Sequence, residues 1–158
     1  VDDSATVSLR YFTVCGTQMR PNMAISNVVS RCMNDEPPIV YGDGKQTRDF
    51  TYIEDIVDAN LTLLESGKAD GEVLNIGSSD NIEIRTLATE VRDQLAPELE
   101  LEYAERYDAD AEHTHADVSK ASRLLGYSPE HTIREGVRKF VDWYRENQKW
   151  YEPLVRKS

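Results

Sequence analysis

Residues 41–55 read YGDGKQTRDFTYIED, and two chemistries overlap in them. GDGKQT looks like part of a phosphate loop, G-x-x-x-x-G-K-[ST], whose backbone amides wrap a phosphate and whose hydroxyl holds Mg²⁺. Tyr41 and Lys45 have the Tyr-x-x-x-Lys spacing of a catalytic pair. The phosphate loop fails at two positions. Gln46 follows Lys45 where Ser or Thr is needed, and Ile39 stands five residues before Gly44 where Gly is needed. The pair fails on geometry. It works on a helix, where i, i+4 spacing sets the cation beside the phenol and lowers its pKa. Gly42, Asp43 and Gly44 favour a turn instead. Arg48 is what remains: a planar fork suited to a phosphate or carboxylate, between a turn and aromatics. The plain alternative for the stretch is a hairpin or strand-to-helix connection, with Asp55 near a helix start and favoured by its dipole.

The elements around it alternate. TVSLRYFTV (residues 6–14) reads as a buried strand that ends at Gly16. A helix follows from about Met23 to Asp35, with Ile25, Val28, Val29 and Met33 on one face, and Pro37 and Pro38 end it before a short strand, IVY. Ile56, Asn60, Leu63 and Leu64 mark a second helix that stops near Gly67. EVLNIG is a strand, TLATEVRDQLA a helix and LELEY a half-exposed strand. DVSKASRLLGY has Asp117 as an N-cap and Gly126 just past its end. The last helix opens with Thr132 and Glu135, a capping box, and buries Val137, Phe140, Val141 and Tyr144. Strands interleaved with helices give an α/β or α+β class.

The chain has 158 residues, 39% hydrophobic and 30% charged, with a net charge of −11. That is enough for one domain with a core. The charge disfavours nucleic acid and anionic membrane as partners, and it fits either an ordinary acidic cytoplasmic protein or one adapted to high salt. Cys15 and Cys32 have no metal-binding spacing and are expected as free thiols in a cytoplasm. No apolar run is long enough to span a membrane, and no signal peptide opens the chain. A start only a few residues before the first strand suits a natural protein or a fragment of a longer one.

LRYFTVCGTQMRPNMA, IVYGDGKQTRDFTYIEDIVDANL, VLNIGSS and ADVSKASRLLGY follow in an order and spacing that resemble the C-terminal half of the extended short-chain dehydrogenase/reductases. The similarity is to the NAD-dependent nucleotide-sugar epimerases and dehydratases, above all the UDP-glucose 4-epimerase group, and runs from about Leu9 to Tyr144. It implies the last strand of a Rossmann sheet (residues 1–16) plus the small α/β substrate-binding lobe (residues 17–158). The family's G-x-x-G-x-x-G loop and helical Tyr-x-x-x-Lys pair are absent from these 158 residues. The resemblance therefore implies a nucleotide-sugar-binding portion without catalytic residues of its own, its NAD-binding domain lying outside the chain. In the family, NAD takes hydride from C4 of a UDP-sugar, and the 4-keto sugar turns about its pyrophosphate link before the hydride returns. The nucleotide must be gripped while the sugar stays loose. The family's usual homodimer would form through helices outside this chain.

The same resemblance assigns positions. Phe12 stands beside the nicotinamide, with a plain core aromatic as its other reading. Thr13 replaces a usual Asn that contacts substrate; it keeps a hydroxyl and loses the amide. Asn22, Met23 and Ala24 begin a helix whose free N–H groups face the diphosphate, or else Asn22 is an ordinary cap. Ile39, Val40 and Tyr41 border the uracil, partly through backbone groups. Arg48 matches the arginine that binds the pyrophosphate. Asp110 aligns with an acid that binds the ribose or a nearby hydroxyl, and Thr114 with another substrate-side position. The family's second arginine falls on Tyr107, with Arg106 one residue off, so either a bulge brings Arg106 in or that contact is lost. Asp108, Asp110, Glu112, His113 and His115 lack the glycine and terminal Glu of an EF-hand, and a solvated acidic loop is expected rather than a metal site. Two alternatives stay open: the lobe of a nucleotide-sugar 4,6-dehydratase or reductase, or of a relative kept for binding or assembly. An exposed apolar face is expected where the Rossmann sheet would pack, giving either a poorly soluble monomer or a non-native self-association through the TVSLRYF edge.

Overall fold

A computed structural model describes residues 6–106 and 110–157. In chain order its elements are β1 (Ser8–Tyr11), β2 (Thr13–Cys15), α1 (Ala24–Met33), β3 (Ile39–Tyr41), β4 (Thr47–Arg48), β5 (Phe50–Tyr52) and α2 (Ile53–Leu64). A 3₁₀ turn (Gly67–Ala69) precedes β6 (Val73–Ile76), β7 (Ile82–Glu83), α3 (Ile84–Leu95), β8 (Glu102–Ala104), α4 (Ser119–Leu125) and α5 (Ile133–Val155). The fold is α/β.

The strands pair two by two. β1 with β6, β2 with β5 and β3 with β8 are parallel, while β4 with β7 is antiparallel. The run expected as one buried strand is therefore two. At Phe12 the chain changes partner: Phe12 N–H donates to Ile76 O (3.2 Å) and Thr13 N–H to Asp49 O (3.1 Å). Most of β1 is exposed, because only β6 covers it. LELEY begins its pairing late, at Glu102, because Leu99 and Leu101 pack on the core instead. β4 and β7 were not expected; two-residue strands offer no periodicity to read.

Two apolar clusters hold the elements. The larger joins Ile25, Val28 and Val29 of α1 to Leu87 and Val91 of α3 and to Val137, Phe140 and Tyr144 of α5. Each fully buried aliphatic side chain there contributes roughly 1.5–3 kcal/mol. The smaller joins Ile56 and Ala59 of α2 to Leu74 and Ile76 of β6 and Ala121 of α4. Leu64, expected on the buried face of α2, is 83% exposed. With Val57 and Leu61 it forms an apolar stripe at i, i+4, i+7 on the outer side. Among the described residues no helix is long and apolar enough to cross a membrane.

Helix ends follow the expected chemistry with one shift. Asp117 Oδ1 accepts from Ser119 N–H (3.0 Å) and Ser119 Oγ (2.6 Å), although Val118 is the cap residue by its backbone. Gly126 ends α4 at φ +70°. At α5 the capping box is complete, with Thr132 and Glu135 bonding each other's backbone N–H.

Candidate functional site

The turn before Arg48 is built from its own polar groups. Lys45 N–H donates to Asp43 Oδ1 (3.0 Å), and Lys45 Nζ lies 3.6 Å from Asp43 Oδ2. Lys45 is thus engaged within the turn, and its spacing from Tyr41 spans no helix. Gly44 sits at φ +71°, and a Cβ there would come 2.6 Å from Arg85 Cβ and 2.7 Å from Val40 Cγ1, so no other residue fits. Gln46, the residue that spoils the phosphate-loop pattern, is buried and donates to Tyr41 O (2.8 Å), which braces the turn.

Arg48 and Asp49 have opposite surroundings. The Arg48 side chain is 14% exposed; Nη1 donates to Thr47 O (2.8 Å) and Nη2 pairs with Asp110. Asp49 is wholly buried. Its Oδ1 accepts from Ser78 N–H (2.9 Å), Ser78 Oγ (2.8 Å) and Thr51 Oγ1 (3.3 Å), and its Oδ2 accepts from Ala116 N–H (3.0 Å). One carboxylate thus ties the β4–β5 link to the segments after β6 and before α4, and fixes the strand that carries Arg48. Close packing follows at Gly77, where a Cβ would meet Ala116 Cβ at 2.2 Å.

Two cavities gather most of the residues singled out from sequence, and a third, of about 190 Å³, is lined by Arg48 and by residues 129–133 at the start of α5. The first, of about 440 Å³, is lined by Thr13, Asn22, Met23, Ala24, Ile39, Tyr41, Arg48 and Asp110 among the residues singled out from sequence, and also by Arg20, Asn27 and Gln46. The second, of about 680 Å³, is lined by residues 11–20 with Met23, Ile53 and Thr114. Thr13, Arg20 and Met23 border both. Phe12 is half-buried, lines the second cavity and belongs to neither apolar cluster. Cys15 lines it too, but burial, and secondarily the charge of Asp55, push its thiol up to about 12, so it is protonated and unreactive there.

The start of α1 borders the first cavity. Met23 is its cap residue, and no side chain caps it, so Asn22 is not an ordinary cap. The first helical bond runs from Asn27 N–H to Met23 O (3.0 Å). That leaves the N–H groups of Ala24, Ile25 and Ser26 without a helical partner, a donor set suited to an anion.

Other expected residues stand further back. Val40 is wholly buried, behind Ile39 and Tyr41, and lines neither cavity. Arg106 lines neither: Nη2 donates to Asp110 O (2.8 Å) and Nη1 lies 3.5 Å from Glu112 Oε1. It holds the backbone of the residue that pairs with Arg48. Thr114 borders the second cavity and accepts from Asp49 N–H through Oγ1 (3.2 Å). Tyr107 and Asp108 lie outside the described residues. Sequence reasoning passed over Asp49, Gln46 and Arg20. Arg20 is exposed, and its guanidinium has no hydrogen-bond or ion-pair partner among the described residues. Its one signal is its place directly before the Pro21–Asn22 entry to a helix.

Asp55 does more than favour a helix dipole. Its buried carboxylate accepts from Glu130 N–H (3.0 Å) and His131 N–H (3.3 Å) and lies 2.9 Å from His131 Nδ1. It ties α2 to the loop that starts α5.

Residues 2–77 match the sequence profile of the NAD dependent epimerase/dehydratase family. A UDP-glucuronate 4-epimerase from Thermodesulfobacterium geofontis is 36% identical over 140 residues, 88% of this chain and 43% of that protein. The crystal structure of the UDP-glucuronic acid 4-epimerase from Bacillus cereus, in complex with UDP-glucuronic acid and NAD, superposes with a TM-score of 0.84 at 35% identity, over 89% of this chain and 45% of that one. An epimerase from Methanothermobacter thermautotrophicus superposes with a TM-score of 0.88 at 32% identity, over 98% of this chain and 46% of that one. The chain spans less than half the length of these relatives.

Proposed function

The chain belongs to the NAD-dependent epimerase/dehydratase family, and on that premise we propose that it is the nucleotide-sugar-binding portion of a UDP-sugar 4-epimerase. The observation that carries this reading is the first cavity. Eight residues picked for a nucleotide sugar come to it from five separate parts of the chain. The α1 start and Arg48 hold the diphosphate, Ile39 and Tyr41 border the base with Val40 behind them, and Asp110 takes the ribose. Thr13, shared by both cavities, faces the sugar.

The Arg48–Asp110 pair sets the energetics. A guanidinium offers five donors, and this one spends one on Thr47 O and one on Asp110. A diphosphate must share the fork with the carboxylate or displace it. The net gain is then smaller than that of a free arginine, because one charge-assisted bond replaces another.

NAD, when bound, supplies hydride transfer at the sugar carbon. This chain's residues fit one edge of that group: Phe12 and Thr13 border the second cavity. No G-x-x-G-x-x-G cradle for its pyrophosphate occurs in the sequence, nor a helical Tyr-x-x-x-Lys pair to take the hydroxyl proton. The chain by itself is therefore expected to bind and not to epimerise, with the dinucleotide-binding half lying in the part of its relatives that it does not span.

Arg20 favours an acidic sugar. It is an exposed cation at the junction of the two cavities, where a sugar leaving the nucleotide site would pass. A uronate carboxylate would find a partner there. Titration calorimetry with UDP, and with dTDP and GDP as controls, tests the anchor. UDP is expected to bind best, and Arg48→Ala to weaken it by about tenfold or more. Unchanged UDP affinity in Arg48→Ala would sink the diphosphate assignment.

A further inference from the structure

The segment that carries Arg20 has little backbone bonding of its own. Met19 N–H reaches Gly16 O at 3.3 Å and Met23 N–H reaches Arg20 O at 3.2 Å. Inside the first of these turns Gln18 takes φ +60°, a left-handed conformation that a residue other than glycine adopts only when its surroundings hold it. The surroundings come from the far end of the chain. Tyr151, 2% exposed, donates its phenol to Met19 O (2.8 Å) and lies 3.0 Å from Ser26 Oγ, which is itself buried and donates to Arg20 O (3.1 Å). Burial raises the Tyr151 phenol above its ordinary value, so it stays a donor.

Two hydroxyl protons serve these three contacts. Either they satisfy both carbonyls, or one satisfies a carbonyl and the other the Tyr151–Ser26 contact. In every arrangement at least one of two consecutive carbonyls beside the cavities, Met19 O or Arg20 O, is held. Met19 is buried, so its carbonyl has no water to turn to when the phenol is gone. Elsewhere the same helix interface is bonded without touching this segment: Ser30 Oγ donates to Glu152 Oε1 (2.8 Å), as does Asn34 Nδ2 (3.0 Å).

We propose that Tyr151, acting through Ser26, is a positioning residue that holds residues 16–24 so that Arg20 and the open start of α1 face one anionic ligand together. This rests on the reading of the cavities as a nucleotide-sugar site. Tyr151 touches no ligand in this scheme. It sets where the backbone of two ligand-facing groups lies, from 131 positions further along the chain than Arg20.

The test compares Tyr151→Phe and Ser26→Ala with Ser30→Ala, which removes a part-buried bond between the same two helices. Amide hydrogen exchange of residues 16–24, with no ligand added, is expected to quicken in the first two variants by about tenfold and to stay unchanged in Ser30→Ala. Calorimetry with UDP-glucuronate is expected to show about a five- to twentyfold loss of affinity in Tyr151→Phe. That loss should shrink in an Arg20→Ala background, since the two changes act on one contact. Unchanged exchange in both variants overturns the proposal whatever the ligand does. So does a Tyr151→Phe loss that is undiminished without Arg20. Quickened exchange in a chain that binds neither UDP nor UDP-glucuronate would keep the tether and sink the nucleotide-sugar reading. If Tyr151→Phe fails to fold, Ser26→Ala carries both readouts.

Discussion

At the start of α5 the Thr132 hydroxyl and the Glu135 carboxylate both accept from backbone N–H groups, whereas at the start of α1 no side chain caps an N–H. Both helices pack into one apolar cluster, so their burial is alike. What differs is what each start faces. α5 begins beside Asp55 and His131 in a closed set of polar contacts, on a cavity of about 190 Å³ that Arg48 also lines, and α1 begins uncapped on the larger one. The same contrast recurs one residue apart on the strand side. Asp49 spends both oxygens inside the protein, while Arg48 turns a guanidinium with donors to spare toward the cavity. Polar groups are closed where only the fold uses them and left open where a ligand is expected.

The largest effect that could break this contrast is at Asp49. Asp49→Ala leaves the buried N–H of Ala116 and the part-buried N–H of Ser78 without an acceptor, at a cost of about 3 kcal/mol or more in folding stability. Arg48→Ala, next door, should cost about 1 kcal/mol or less, since its pair is partly open to solvent. Urea unfolding of the two variants measures both. Equal losses would mean that Arg48 serves the fold as much as Asp49 does.

A second comparison acts on the helix starts directly. Thr132→Ala removes half of the capping box and should cost about 1 kcal/mol of stability with UDP affinity unchanged. Ala24→Pro removes one donor at the first helical position of α1, where proline fits the helix and Met23 already has the extended backbone that a residue before proline needs. Its stability should change by about 0.5 kcal/mol or less, while UDP affinity falls by about five- to tenfold. Should Ala24→Pro bind UDP like the unmodified chain, the open start would have no ligand role.

The legible part of this molecule is the part set by local pattern. Helix periodicity, the Thr132–Glu135 box and Gly126 were all readable, because each depends on residues within a turn of one another. The strand switch at Phe12 was not, since it depends on Ile76 and Asp49, far away in the chain. The site divides likewise. Arg48 stood out as a charge that a turn does not explain. Asp49, its neighbour, was silent, because its donors come from residues 78 and 116. Tyr151 was silent in sequence, and only its contact with Met19, far away in the chain, gives it a role.

The smallest effect, and the most direct reading of the contrast, is a titration. The Glu135 carboxylate is held below its ordinary pKa, first by the Thr132 backbone N–H and then by the Thr132 hydroxyl. A carboxylate lowered in the folded state contributes stability that is present above the ordinary glutamate range and is lost as pH falls through the lowered value. The Thr132 amide, bonded to Glu135 Oε2 at 2.8 Å, should report this. In an NMR titration toward acid its shift should move with a midpoint below that of ordinary glutamate, and the movement should vanish in Glu135→Gln. The amides of Ala24 and Ile25 should show no such midpoint, because no carboxylate caps α1. A carboxylate midpoint at Ala24 would place an acid over that start. The donors of α1 would then be spent within the protein, and the difference between the two helices would be one of degree.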